Sequence, residues 1–137
     1  MSFYSEMLDK LVDAAEATDP YASIVYGSDP PVNGICMIPG PGAPSDTHLN
    51  KGMVYRLPIV LNGKHTDQEI LLDTLTAIHE ELTRRLDYSG ISTDDIQVVD
   101  ISTTALPSII GREQNSQYIC GSSLEVDFYW RKNNIGG

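Results

Sequence analysis

A strict alternation of apolar and polar residues near the end of the chain constrains the fold most. Successive side chains of a β-strand point to opposite faces, so this pattern predicts a long strand over residues 118–130. The apolar side of the strand carries Leu124, Val126, Phe128 and Trp130. The opposite side carries Glu125, Asp127, Tyr129 and Arg131. One face of the predicted sheet therefore packs on a core, and the other meets solvent or a partner.

A second alternating stretch lies at residues 52–61. Its apolar positions, which would share one strand face, are Met53, Tyr55, Leu57, Ile59 and Leu61. Pro58 interrupts the stretch, and proline cannot donate a hydrogen bond to a neighbouring strand. We therefore expect an edge strand or a bulge there, closed by residues 62–64. Further strands are expected at residues 23–26, 34–38 and 96–106, with a polar loop at residues 39–51.

Two stretches have helical periodicity. Residues 2–17 place their apolar side chains on one helical face, and Asp19-Pro20 ends that short helix. Residues 66–86 predict a longer helix with an apolar stripe and arginines near its end. It opens with a capping box, in which Thr66 and Glu69 satisfy each other's backbone N–H groups.

These elements predict an α+β domain. We expect a mostly antiparallel sheet of about four strands, with the long helix on its apolar face and the short N-terminal helix beside it. A chain of 137 residues is long enough to bury a core without disulfides or metals. We predict one domain over residues 1–132 and a flexible tail over residues 133–137.

The composition narrows the classes of partner. The formal net charge is −10, which disfavours tight binding to a phosphate backbone and suits a surface that repels DNA or meets a basic partner. Solubility alone is an equally simple reason for that charge. No apolar run has the about 20 residues of a membrane span, and no secretion signal opens the chain. Cys36 and Cys120 are expected to be buried free thiols of a reducing cytosol, since a disulfide would require neighbouring strands.

Catalytic and metal-binding patterns are weak. The stretch His79-Glu80 resembles the start of a zinc-protease helix, but Thr83 stands where a second histidine is needed. We interpret the stretch as the polar face of a helix. His48 and His65 have no metal-ligand pattern around them, and no serine lies in a nucleophile elbow. We expect no cofactor, no metal and no enzymatic activity.

The segment IPGPGAP, residues 38–44, could suggest a phosphate-binding loop. Such a loop presents successive backbone N–H groups to the anion, usually at the start of a helix. Three of the seven residues are prolines without an N–H, and a strand follows. We therefore interpret the segment as a stiff arm that contacts another protein subunit or a tube. The residues of this predicted interface are Pro39, Gly40, Pro41, Gly42 and Pro44.

The order and spacing of these features resemble those of the tail-terminator proteins of long-tailed bacteriophages. These are also described as tail-completion, tail-to-head joining or minor capsid proteins. The resemblance rests on the N-terminal helix, the strand entering the Pro/Gly loop at residues 34–44, the strand at residues 53–61 and the capped helix. It extends to the stretch ALPSIIGRE, residues 105–113, and the strand at residues 118–132. It covers nearly the whole chain.

The resemblance implies a structural virion protein made in the host cytoplasm and located at the neck of the phage. Such proteins form a ring, usually of six subunits, on the finished tail tube. The ring stops tube growth and docks to the connector of the head. DNA passes through without being bound, and no cofactor, membrane or catalysis is implied.

In such a ring, we expect Glu125 and Asp127 to face the channel and repel DNA phosphates. Asp100 would join them if its strand pairs in a suitable register. The alternatives are a soluble adaptor or binding domain with an acidic sheet face, another component of the head–tail connector, or a small enzyme that uses His79 and Glu80.

Overall fold

The computed structural model describes residues 4–49, 52–85 and 88–130. In chain order, the elements within these ranges are α1 (Ser5–Glu16), β1 (Ile24–Tyr26), β2 (Ile35–Pro39), β3 (Ala43–Leu49), β4 (Gly52–His65), α2 (Gln68–Thr83), β5 (Ile96–Arg112) and β6 (Tyr118–Trp130). The predicted α+β class is confirmed.

The strands form one sheet in the order β1-β2-β4-β6-β5, with β3 paired to β4 beside β2. All neighbouring pairs are antiparallel except β1 and β2, which run parallel. The sheet is therefore mixed and six-stranded within the described residues, and the expectation of about four strands was wrong. The missed strand is β3, because residues 43–49 have few of the apolar side chains that mark a strand.

The ladder between β4 and β6 has an unbroken register from Met53↔Trp130 to His65↔Tyr118. It continues through residues 62–64, where the sequence predicted an end to the strand. The position of β4 inside the sheet also makes the edge-strand expectation for Pro58 wrong. By contrast, β5 extends to Arg112, beyond its predicted end at residue 106, and pairs with β6 through four register shifts.

Both helices lie where the periodicity places them, with shorter ends. The start of α2 differs from the predicted capping box. Asp67, rather than Thr66, caps the helix, since its Oδ1 accepts hydrogen bonds from Glu69 N at 2.9 Å and Ile70 N at 3.1 Å. Residues 2, 3, 86 and 133–137, on which parts of the predicted helices and tail fall, lie outside the described residues.

One hydrophobic core fills the space between the helices and the inner face of the sheet, which we define as the helix-covered side. Leu71, Leu75, Ile78 and Leu82 of α2 are fully buried there, as are Met7 and Leu11 of α1. From the sheet, the core takes Ile35, Leu57, Ile59, Leu61, Leu124, Val126 and Phe128. The predicted packing of α2 against the apolar sheet face is confirmed.

A buried lysine of β4 joins two turns at one end of the sheet. The Lys64 ammonium, in β4, lies 3.0 Å from an Asp29 carboxylate oxygen and 2.9 Å from one of Glu113. The hydrogen bonds that the ammonium donates to Glu113 and Asp29 raise the pKa of Lys64. This charge-assisted contact fixes the β5–β6 hairpin turn to the turn after β1.

Cys36 lies in β2 and Cys120 in β6, with β4 between their strands. Both are buried free thiols, as predicted. Burial raises the pKa of both thiols, that of Cys120 to about 11.

Candidate functional site

The outer face, which we define as the sheet face opposite the helices, carries the two acids identified in the sequence. Glu125 and Asp127 alternate along β6 with the buried Leu124, Val126 and Phe128. Because neighbouring strand residues point to opposite sides, both carboxylates lie away from α2. Their side chains are partly exposed, by 33% and 23%.

Arg56 lies beside these acids and was missed at the sequence level. Its Nε is 3.1 Å from Asp127 Oδ1, to which it donates a hydrogen bond, and 3.4 Å from Glu125 Oε1. The register pairs Arg56 of β4 directly with Asp127. The alternation of residues 53–61 already places Arg56 on the polar side, but only the strand pairing brings it to the acids.

Asp100 joins the group, because the register pairs it with Asp127 from the other side. Residues directly opposite each other in adjacent strands present their side chains on the same face. The outer face therefore combines three carboxylates, from β5 and β6, with one guanidinium from β4. We call Asp100, Glu125, Asp127 and Arg56 the acidic cluster.

The segment IPGPGAP, the second candidate site, connects β2 to β3 alongside β4. Pro39 ends β2, and Ala43 and Pro44 begin β3, opposite Arg56 and Tyr55 of β4. Between the two strands, Gly40 N donates a hydrogen bond to Pro58 O at 2.8 Å. Hence β2 and β3 together follow one side of β4.

This geometry explains Pro58 inside the sheet. The N–H and C=O of one residue in an antiparallel strand point to the same side. The Pro58 carbonyl points to Gly40, so its nitrogen also faces the Pro/Gly segment, where regular pairing is interrupted. The absent N–H therefore falls in the gap between β2 and β3.

Gly42 lies close against β4. A Cβ at this position would lie 2.9 Å from Leu57 Cδ1 and 3.2 Å from Arg56 O. The segment is thus packed against β4, and residues 43–49 form a strand. The expectation of a long polar loop over residues 39–51 was wrong, because Pro39 belongs to β2 and residues 43–49 form β3. Residues 50 and 51 lie outside the described residues.

His79 and Glu80 do not come together. His79 is buried with an exposed fraction of 2%, and its Nε2 lies 2.7 Å from Thr103 Oγ1 of β5. Burial lowers the pKa of His79. Glu80 is exposed and lies 4.0 Å from Arg84. The interpretation of His79 as part of a polar helix face was wrong, because its side chain points to the sheet.

Among residues 4–49, 52–85 and 88–130, no group of three His, Cys, Asp or Glu side chains is arranged to hold a metal ion. No helix within these ranges is long and apolar enough to cross a membrane.

A protein-family model described as bacteriophage tail terminator protein matches residues 11–130. The match spans both helices and all six strands, apart from the first turns of α1. The chain belongs to the bacteriophage tail terminator family. No curated protein sequence matches it significantly.

Membership of the tail terminator family identifies the chain as a structural protein of phage tails and a component of the virion. It also implies contacts with other components of the tail and head. The resemblance found in the sequence is thereby confirmed at the level of the family.

Proposed function

We propose that this tail terminator forms a ring, of six copies, on the last ring of a completed tail tube at the phage neck. The ring stops further tube growth and provides the surface to which the head connector docks. The observation that carries the proposal is the family match over residues 11–130.

In this arrangement the outer face of each copy lines the channel. The helices cover the inner face, so the outer face is the side of the sheet left open to a neighbouring molecule. Its acidic cluster has three carboxylates and one guanidinium, and its net charge is negative. A negative lining repels DNA phosphates, so the duplex slides through without binding.

Arg56 locally reduces the negative charge of this lining. It lies within 3.4 Å of both Glu125 and Asp127, and thus draws the two acids into one ion-paired group. Because Arg56 is 51% exposed, solvent screens this attraction and the carboxylates retain much of their field.

The proposed role is structural and not catalytic. The only catalytic pair indicated by the sequence, His79 and Glu80, is divided between the core and the helix surface. We expect the double variant His79→Ala/Glu80→Ala to lose no measurable activity relative to the wild-type protein.

The Pro/Gly segment and β3 form the proposed contact to the tube or to a neighbouring copy. They lie at one end of the sheet, alongside the first half of β4. Faster amide exchange in residues 39–49 of the free protein than in the assembled ring would support this contact. Equal exchange in both states would contradict it.

Removal of the gene from the phage tests the function directly. We expect tubes of uncontrolled length that fail to join heads, and recovery when the intact chain is supplied in trans. Tails of normal length that join to heads without the chain would contradict the proposal. The double variant Glu125→Lys/Asp127→Lys should assemble normally but slow DNA passage, with Glu125→Gln/Asp127→Asn as the neutral control.

A further inference from the structure

The strands at the two edges of the sheet lie in stretches of sequence that contain no charged residue. The stretch YASIVYGS, residues 21–28, contains β1 and has no charged residue. The stretch ISTTALPSIIG, residues 101–111, forms most of β5 and also has none. In a chain with a net charge of −10, these uncharged stretches lie at opposite ends of the strand order.

Each edge also exposes large apolar side chains. Val25 of β1 is 45% exposed, and Leu106 and Ile110 of β5 are 68% and 64% exposed. Burying such side chains between two molecules is favourable by about 25 cal/mol for each Å² removed from water. Glu16 and Asp9 of α1 bring carboxylates to the β1 edge, and contact with the uncharged β5 stretch avoids the repulsion that a second acidic surface would cause.

The sheet register, together with one side-chain contact, relates Val25 to Ile110 across the sheet. Val25 pairs with Cys36, Cys36 with Asn62, Asn62 with Gly121, and Gly121 with Ser108. A Cβ at Gly121 would lie 3.1 Å from Asn62 Oδ1 and 3.2 Å from Ile110 Cδ1. Ile110 therefore lies next to Gly121, the β6 residue in the row of paired residues that begins with Val25 of β1.

If a second copy stands beside the first in the direction perpendicular to the strands, Val25 of one molecule lies beside Ile110 of the next. Such a head-to-tail contact uses two different surfaces, and its repetition produces a ring when the rotation closes. The same arrangement keeps the outer faces of all copies on one side of the ring wall.

Both edges are poorly suited to a continuous backbone ladder. On β1, Ile24 N already donates to Glu16 Oε2 at 2.8 Å. On β5, Pro107 has no N–H, and four register shifts interrupt the strand. Bulges and prolines are devices that prevent indiscriminate strand pairing. The contact is therefore made by side chains.

We infer that the β5 edge of one copy, through Leu106 and Ile110, packs against the β1 edge of the next copy, through Val25. This inference rests on the proposed ring and identifies the surfaces that form it.

Charge substitutions test the pairing on tail tubes of the same phage incubated with purified full-length protein. Val25→Lys and Ile110→Asp each place an unpaired charge in the contact. We expect each to reduce the fraction of tubes that carry a ring by about tenfold or more. Ile70→Asp, at a 43% exposed apolar residue of α2, is the matched control and should retain the ring.

The combinations establish the direction of the contact. In the double variant Val25→Lys/Ile110→Asp, every contact joins a lysine to an aspartate, so ring formation should recover. An equimolar mixture of the two single variants should also recover, because alternating copies leave one contact unchanged and pair opposite charges in the other. Circular dichroism melting should show that all variants stay folded, since both substituted side chains are exposed.

The results separate two failures. Wild-type protein that forms no ring on tubes would contradict the proposed function. Rings that persist in both single variants, or a double variant and mixture no better than the single variants, would overturn the edge-to-edge contact alone.

Discussion

The two sides of β6 differ sharply. On one side, β4 pairs with it in unbroken register along their full length. On the other side, β5 pairs with it through four register shifts and leaves Leu106 and Ile110 largely exposed. The first ladder places side chains in the core along most of its length. In β5, Ile96, Val98 and Ile101 are buried in the core, whereas residues 102–110 are mostly exposed.

Among the substitutions that test this contrast, Phe128→Ala should have the largest effect on stability. Phe128 is 1% exposed and stacks with Tyr55, their ring centroids 5.7 Å apart. Loss of the ring leaves a cavity in the core, so we expect the free energy of unfolding to fall by about 3–5 kcal/mol. Urea denaturation measures it. Ile110→Ala, in the strand on the other side of β6, should change the free energy of unfolding by less than about 0.5 kcal/mol. Similar losses for the two variants would contradict the contrast.

Lys64→Met tests whether Lys64 anchors the turn of the β5–β6 hairpin. The substitution removes the contacts to Asp29 and Glu113, and we expect a loss of about 1–2 kcal/mol because both carboxylates remain partly hydrated. Arg84→Met is the control. Arg84 is 79% exposed and 4.0 Å from Glu80, so its loss should cost less than about 0.5 kcal/mol. Equal effects would show that the buried lysine anchors nothing.

His79 tests the contact between α2 and β5 by its pH dependence. Its Nδ1 is buried without a hydrogen-bond partner among the described residues, and burial lowers its pKa in the folded protein. The unfolded chain therefore binds a proton first, as the pH falls through about 6.5. Stability is retained above that pH and decreases below it, by at most about 1.4 kcal/mol per pH unit.

Thermal melts of wild type and His79→Gln between pH 7.5 and 5 measure this decrease. We expect the variant to lose most of the dependence in that window. An identical pH dependence in both proteins would assign the effect to other groups.

Arg56→Gln should have the smallest effect on stability. The ion pairs of Arg56 with Glu125 and Asp127 are solvent-exposed, so their loss should cost less than about 1 kcal/mol. Chemical denaturation at low and high salt measures this cost, which salt should reduce further. A loss as large as that of Lys64→Met would mean that the acidic cluster stabilises the fold.

Much of this architecture follows from the sequence. Alternation at residues 118–130 fixes both the strand and the placement of Glu125 and Asp127 on the face opposite α2. The apolar stripe of α2 similarly identifies the helix that covers the sheet. Such patterns are local, and they report which face of an element is buried.

The features missed in the sequence depend on pairing between distant segments. Strand β3 has little apolar character of its own and forms because β4 offers it an unpaired stretch. Pro58 is tolerated inside the sheet because the Pro/Gly segment lies opposite its nitrogen. Arg56 meets Asp127 across 71 positions of sequence. No local pattern gives that register.

The most direct measurement is a cryo-electron microscopy map of the end of the isolated tail tube with this protein bound. We predict a closed ring in which Glu125 and Asp127 face the channel and the β5 edge of each copy meets β1 of the next. A tube end without such a ring, or a ring with α1 and α2 lining the channel, would contradict it.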